Sequence, residues 1–192
     1  MVVIAGGIGV ALVIVFGPRT ATAYEAKTWY NSRAAQTALA LLLVVGGAKS
    51  ALPVSGVLLG ALSAPLICTD FAVHKLPTKW VYAMAIGVIT GIACETPAFV
   101  GTFVIAAICT WTVMLLLRLT TGVGMGDVRL APLTFGWAFV AGALIPALYV
   151  SAITAGAVAL VILAIRKDPK VHIALGPYLV IGPVVAGVLA NY

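Results

Sequence analysis

No hydrophilic stretch in this 192-residue chain exceeds the sixteen residues from Pro18 to Arg33. Sixteen residues are too few to bury a core, so no soluble domain fits anywhere along the sequence. The rest is one apolar run after another: 63% of residues are hydrophobic, 8% are charged and the mean hydropathy is +1.19. Such a composition predicts an all-α, polytopic helix bundle integral to a membrane, with residues 1–192 forming a single transmembrane domain. Whatever the chain does is expected to happen in or beside the bilayer.

Crossing ~30 Å of hydrocarbon at ~1.5 Å per residue takes roughly 17 to 25 residues, with shorter spans tolerated where the membrane thins. On that basis eight spans are predicted, at about 1–17, 34–48, 51–69, 78–94, 97–117, 129–145, 147–165 and 173–190. The stretch from Leu133 to Ile165 carries no charge. As one helix it would be about 50 Å long, so a turn is predicted near Gly142 to Pro146.

Basic residues test that count, because Lys and Arg gather in cytoplasmic loops. With eight spans and the N-terminus outside, one face receives Arg19, Lys27, Arg33, Lys75, Lys79, Arg118, Arg129, Arg166, Lys167 and Lys170, and the other only Lys49. Both termini are therefore expected outside. The net charge of +6 reads as an orientation signal with some attraction to anionic membrane lipids, and needs no nucleic-acid partner. Ala21-Thr-Ala23 has the small-x-small pattern of a signal cleavage site, but no basic residue precedes the first apolar region. The first span is expected to stay as an anchor.

Cys68, Cys94 and Cys109 are odd in number and lack C-x-x-C spacing, which makes them small apolar packing residues and excludes a structural zinc site. His74 and His172 are isolated and read as interfacial polar residues, so no metal site is expected.

Of the five acidic residues, Asp70 and Asp127 lie directly beside apolar spans, where a carboxylate is costly and demands a reason. Asp70 closes the third span in Thr69-Asp-Phe-Ala-Val-His-Lys-Leu-Pro-Thr78. Asp127 falls 57 residues later, between the fifth and sixth spans, in Gly122-Val-Gly-Met-Gly-Asp-Val-Arg-Leu130. Two complete crossings intervene, so both acids reach the same face and can meet. Near a helix end, with water on one side and apolar walls on the other, neighbouring carboxyls share one proton and their apparent pKa values separate. One acid and one base then coexist near neutral pH, as peptide hydrolysis without a covalent intermediate requires. The competing reading makes them helix caps or partners of Lys75 and Arg129. Either aspartate could hold either role.

Gly122, Gly124 and Gly126 leave no side chains to block the close approach of a peptide. A phosphate cradle is the competing reading of these glycines, but no G-x-x-x-x-G-K-[ST] is present. Leu76-Pro77 allows a turn and then the first turn of a new helix, where proline's missing N–H costs nothing.

Asp70 with Pro77 seven residues on, and Gly124-Met-Gly-Asp127-Val-Arg-Leu, resemble the two signature motifs of the type IV prepilin peptidases, aspartyl proteases of the GxGD class. Ile173-Ala-Leu-Gly-Pro-Tyr-Leu179 is similar to a third family segment, usually written Ile-Pro-Phe-Gly-Pro-Phe-Leu. The resemblance runs from Leu62 to Gly182, roughly two-thirds of the chain.

That resemblance implies an aspartic endopeptidase of the plasma membrane that removes the basic leader from prepilin or pseudopilin precursors at the cytoplasmic face, releasing subunits for a pilus or secretion filament. Asp70 and Asp127 would be the catalytic pair, Gly124, Gly126 and Pro77 would shape the motifs, and Gly176 and Pro177 would be substrate-side contacts. Larger members carry a cytoplasmic C-x-x-C insertion and also methylate the new N-terminus with S-adenosylmethionine; here that position holds only the cysteine-free 18–33 stretch. No cofactor is expected unless methylation is retained. The third segment also departs from the pattern at Ala174 and Leu175. Two readings from other classes stand beside the peptidase: a small ion- or proton-coupled transporter, which would spread its acids across bilayer depth, and a non-catalytic scaffold for filament assembly.

Overall fold

A computed structural model describes residues 33–73, 76–166 and 174–190, together with isolated helical positions among residues 2–11. Among the described residues all regular structure is helical: α1 (Arg33–Ala48), α2 (Pro53–Val73), α3 (Thr78–Glu95), α4 (Val100–Thr121), α5 (Met125–Val140), α6 (Leu144–Arg166) and α7 (Gly176–Leu189), with a 3₁₀ turn at Pro97–Phe99. Connections of a few residues force sequential neighbours to run antiparallel. Three stretches among the described residues are long and apolar enough to cross a membrane: Pro53–Phe71, Pro97–Thr121 and Leu144–Ile165. Ala34–Ala48 and Gly176–Leu189 are shorter apolar helices.

Helices α2, α5 and α7 form the centre. The Pro53–Phe71 stretch is almost wholly enclosed by protein, whereas the apolar stretches of α4 and α6 are largely exposed. Leu119 is 82% exposed and Ile165 76%. In water such faces would cost about 25 cal/mol per Å² of apolar surface, a penalty that hydrocarbon removes.

Small residues set the closeness of the central helices. A Cβ at Gly60 of α2 would lie 2.5 Å from the Leu43 carbonyl oxygen of α1, and one at Gly47 of α1 would collide with the backbone of Gly56. Gly56 and Gly60 are four apart on one helix face, the small-xxx-small spacing that lets helix backbones approach within a membrane. Two buried hydroxyls are satisfied within their own helix: Ser63 Oγ donates to the Gly60 carbonyl at 2.8 Å, and Thr69 Oγ1 to that of Pro65 at 2.7 Å.

The expected boundaries shift where packing overrides local preference. Helix α5 begins at Met125 rather than near residue 129, and so takes Asp127 into its first turn. The turn after it closes at Gly142, whose φ of +71° suits a residue without a side chain. Pro146 lies inside the first turn of α6, where its missing N–H has no helical partner to lose. Of the cysteines, Cys68 is buried as a packing residue, whereas Cys94 and Cys109 are exposed. The expectations for His74, Lys75, His172, the 18–32 stretch and most of the first span lie outside the described residues.

Candidate active site

Asp70 lies in the last turn of α2 and is 5% exposed. The chain leaves α2, reaches Leu76 and Pro77, and enters α3 with Pro77 at its N-cap (φ −65°, ψ 112°), the extended geometry that proline holds. Pro77 is buried. Its carbonyl receives the Trp80 N–H at 3.0 Å, which fixes the first turn of α3.

Helix α4 ends at Gly122, whose φ of +74° turns the chain sharply while its N–H donates to the Arg118 carbonyl at 3.0 Å. Gly124 then caps α5 in an extended conformation and accepts the Val128 N–H at 3.2 Å. That places Asp127 in the first turn of α5. A Cβ at Gly124 would stand 3.1 Å from Asp127 Oδ2, so the carboxylate folds back over the residue that opens its helix.

Two contacts brace these segments against each other. Gly126 packs on Leu76, with room for no side chain between them, and Arg129 Nη1 donates to Thr78 Oγ1 at 3.1 Å. Arg129 thus pairs across to α3 rather than with Asp127, removing one of the non-catalytic explanations for that acid. Both motifs are consequently held at the same end of the bundle. The third segment arrives there too: the Gly176 N–H, at the first turn of α7, donates to Asp70 Oδ2 at 2.9 Å. Pro177, the next residue, is buried in that turn.

Asp127 lies ahead of the apolar part of α5 and outside the three bilayer-length stretches. Its carboxyl is pushed up to about 7, first by burial and second by the negative charge of Asp70. A first-turn position favours the anion by about 0.3–1 kcal/mol, which the cost of burying charge outweighs. Asp127 Oδ1 is buried without a hydrogen-bond partner. The charge of Asp70 thus acts on Asp127 in the same direction as burial.

The opposite end of α2 carries a third carboxylate that sequence reasoning treated only as one acid among five. Glu95, at the end of α3, accepts the Val54 N–H through Oε1, and the Ser55 N–H (3.0 Å) and Ser55 Oγ (2.8 Å) through Oε2. Trp137 Nε1 of α5 donates to the same Ser55 hydroxyl at 3.0 Å. The acid caps α2 and ties three helices together, far from Asp70. Only the missing donor partners at the start of an apolar helix could have signalled it.

Chain direction sets Arg33, Lys79, Arg118, Arg129 and Arg166 at helix ends on the Asp70 side, and Lys49 on the Glu95 side. Among the described residues no three His, Cys, Asp or Glu side chains gather as a metal-binding group. No family model, curated protein or solved structure matches the chain.

Proposed function

We propose that the chain is an intramembrane aspartyl endopeptidase of the prepilin-peptidase kind, cleaving the basic leader from prepilin-like precursors at the cytoplasmic face of the plasma membrane. In this reading there are eight spans, both termini face outward, and Asp70 and Asp127 stand at the cytoplasmic end. The observation that carries it is that the Asp70, Asp127 and Gly176 segments, distant in sequence, are held at one end of the bundle, with the Gly176 N–H on Asp70 Oδ2 at 2.9 Å and Gly126 of the Asp127 helix packed on Leu76.

The chemistry follows from the shared proton. The ionised member takes a proton from water, whose oxygen attacks the scissile carbonyl, while the protonated member donates to the developing oxyanion. Collapse of the tetrahedral intermediate breaks the C–N bond, a proton passes to the departing amine, and the leader leaves as a carboxylic acid. The pair finishes with the one proton it began with. A basic leader is attracted to the cationic loops' anionic lipid surroundings rather than to those loops, which holds its junction with the apolar segment near the acids.

Asp70 and Asp127 stand at the same end of the bundle, while Glu95 at the other end is engaged in capping α2, and this favours the reading over a transporter, whose carboxylates would be stepped through the bilayer. The test is co-expression with a prepilin-like precursor, followed by gel mobility and N-terminal sequencing of the product. Loss of the leader at one defined bond is expected. A precursor left intact by chain properly inserted in the membrane would defeat the proposal.

A further inference from the structure

Gly176 has a helical backbone, so its conformation does not call for glycine; positive φ occurs at Gly122 and Gly142 instead. Any residue but proline would present the same N–H. What only glycine provides is room: a Cβ at Gly176 would lie 2.7 Å from Asp70 Oδ2 and 3.2 Å from Cγ. The hydrogen bond at 2.9 Å therefore depends on the absent side chain.

The helix that presents this amide is itself pinned. Ser151 Oγ of α6 donates to the Tyr178 carbonyl at 3.0 Å, and Gly182 packs directly on Ser151. Further along, Gly187 lies against the Trp137 ring, with a Cβ there standing 2.7 Å from it. With α7 held along its length, its first turn cannot follow a displaced Asp70; the carboxylate must come to the amide. That N–H is also among the helix-terminal donors left without an intrahelical acceptor, so the contact satisfies both partners.

We infer that Gly176 is a positioning residue: through its amide and its missing side chain, α7 holds the Asp70 carboxylate in the orientation that faces Asp127. The inference rests on the peptidase reading and replaces a substrate contact at this position with a contact inside the protein's own site. In this role Gly176 acts through Asp70.

The two roles separate kinetically. In the purified full chain acting on a precursor, Gly176→Ala is expected to lower kcat by roughly 100-fold, the effect of about an ångström of misplacement, with KM unchanged. A rise in KM at constant kcat would make Gly176 a substrate contact and overturn the inference, as would two unchanged parameters. Should Gly176→Ala fail to fold, the amide itself decides. The sequence holds two Leu–Gly pairs, Leu59–Gly60 and Leu175–Gly176, so ¹³C-carbonyl leucine with ¹⁵N-glycine labelling leaves two amide signals, which Gly60→Ala assigns. The Gly176 amide proton is expected downfield in wild type and shifted upfield in Asp70→Asn. An amide unmoved by Asp70→Asn, in a wild type that cuts precursor, overturns this inference alone. A wild type that cuts nothing overturns the peptidase reading and the catalytic sense of the contact with it, even if the amide moves.

Discussion

Gly126 lies so close to Leu76 that a methyl group added to it would stand 2.7 Å from Leu76 Cδ1 and 2.9 Å from Cβ. One residue belongs to the segment carrying Asp127 and the other to the segment following Asp70, so the contact packs these two segments together. Gly126→Ala is expected to cost about 1–3 kcal/mol through overpacking and to slow cleavage. Adding Leu76→Ala should restore part of both, with a coupling of about 1 kcal/mol in a double-mutant cycle. Strictly additive effects in thermal unfolding and kinetics would mean that the two segments are not registered through this pair.

The raised Asp127 carboxyl makes a pH prediction. In the proposed peptidase, cleavage needs one protonated acid, so kcat/KM should fall as pH rises through about 7. Stability shares the sign: the folded state binds more protons than the unfolded chain between the ordinary value of 3.8 and about 7, so stability declines across that window as pH rises. Asp127→Asn, which cannot ionise, is expected to be more stable than wild type at pH 8 by on the order of 2 kcal/mol, after allowance for partial exposure. A cleavage profile flat to pH 9, or an Asn variant that melts earlier at pH 8, contradicts the assignment.

Glu95 caps α2 at the end remote from Asp70. Removing it leaves the Val54 and Ser55 amides without their acceptor. Glu95→Ala is expected to lower stability by roughly 2 kcal/mol, and Glu95→Gln, which keeps one acceptor oxygen, by about half as much. The kcat of the folded variant should stay near wild type. An unchanged Tm in Glu95→Ala would remove the capping role.

Two glycine substitutions with opposite outcomes test the packing. At Gly60 an added Cβ meets the Leu43 backbone, which cannot yield, so Gly60→Ala is expected to cost about 3 kcal/mol. At Gly101 on exposed α4 nothing lies within 4 Å, and Gly101→Ala should gain roughly 0.5–1 kcal/mol of helix propensity. Equal melting temperatures for the two variants would show that the α1–α2 approach is looser than described.

Span length and charge placement made most of the helices legible, because both depend on composition over many residues. The placement of Asp70 and Asp127 at the same end of the bundle was legible for the same reason: two intervening helices return the chain to the end from which it started. What escaped was local. Gly122 to Gly126 reads as a loop by propensity, yet Gly126 lies inside α5 because tight packing on Leu76 offsets its poor helix preference. Glu95 and Gly176 act on partners 40 and 106 residues distant, and no periodicity announces such contacts. Arg129 looked like a natural partner for Asp127 two residues away, but neighbours at that spacing do not face each other on a helix, and it reaches Thr78 instead.

The most direct test replaces each acid by its uncharged isostere in purified protein and measures single-turnover cleavage of a precursor. Because the pair works as a unit with one proton, Asp70→Asn, Asp127→Asn and the double variant should each lose about 10³-fold or more, with the double no worse than the singles. Either single variant, folded and cutting within about tenfold of wild type, would contradict a catalytic aspartate pair.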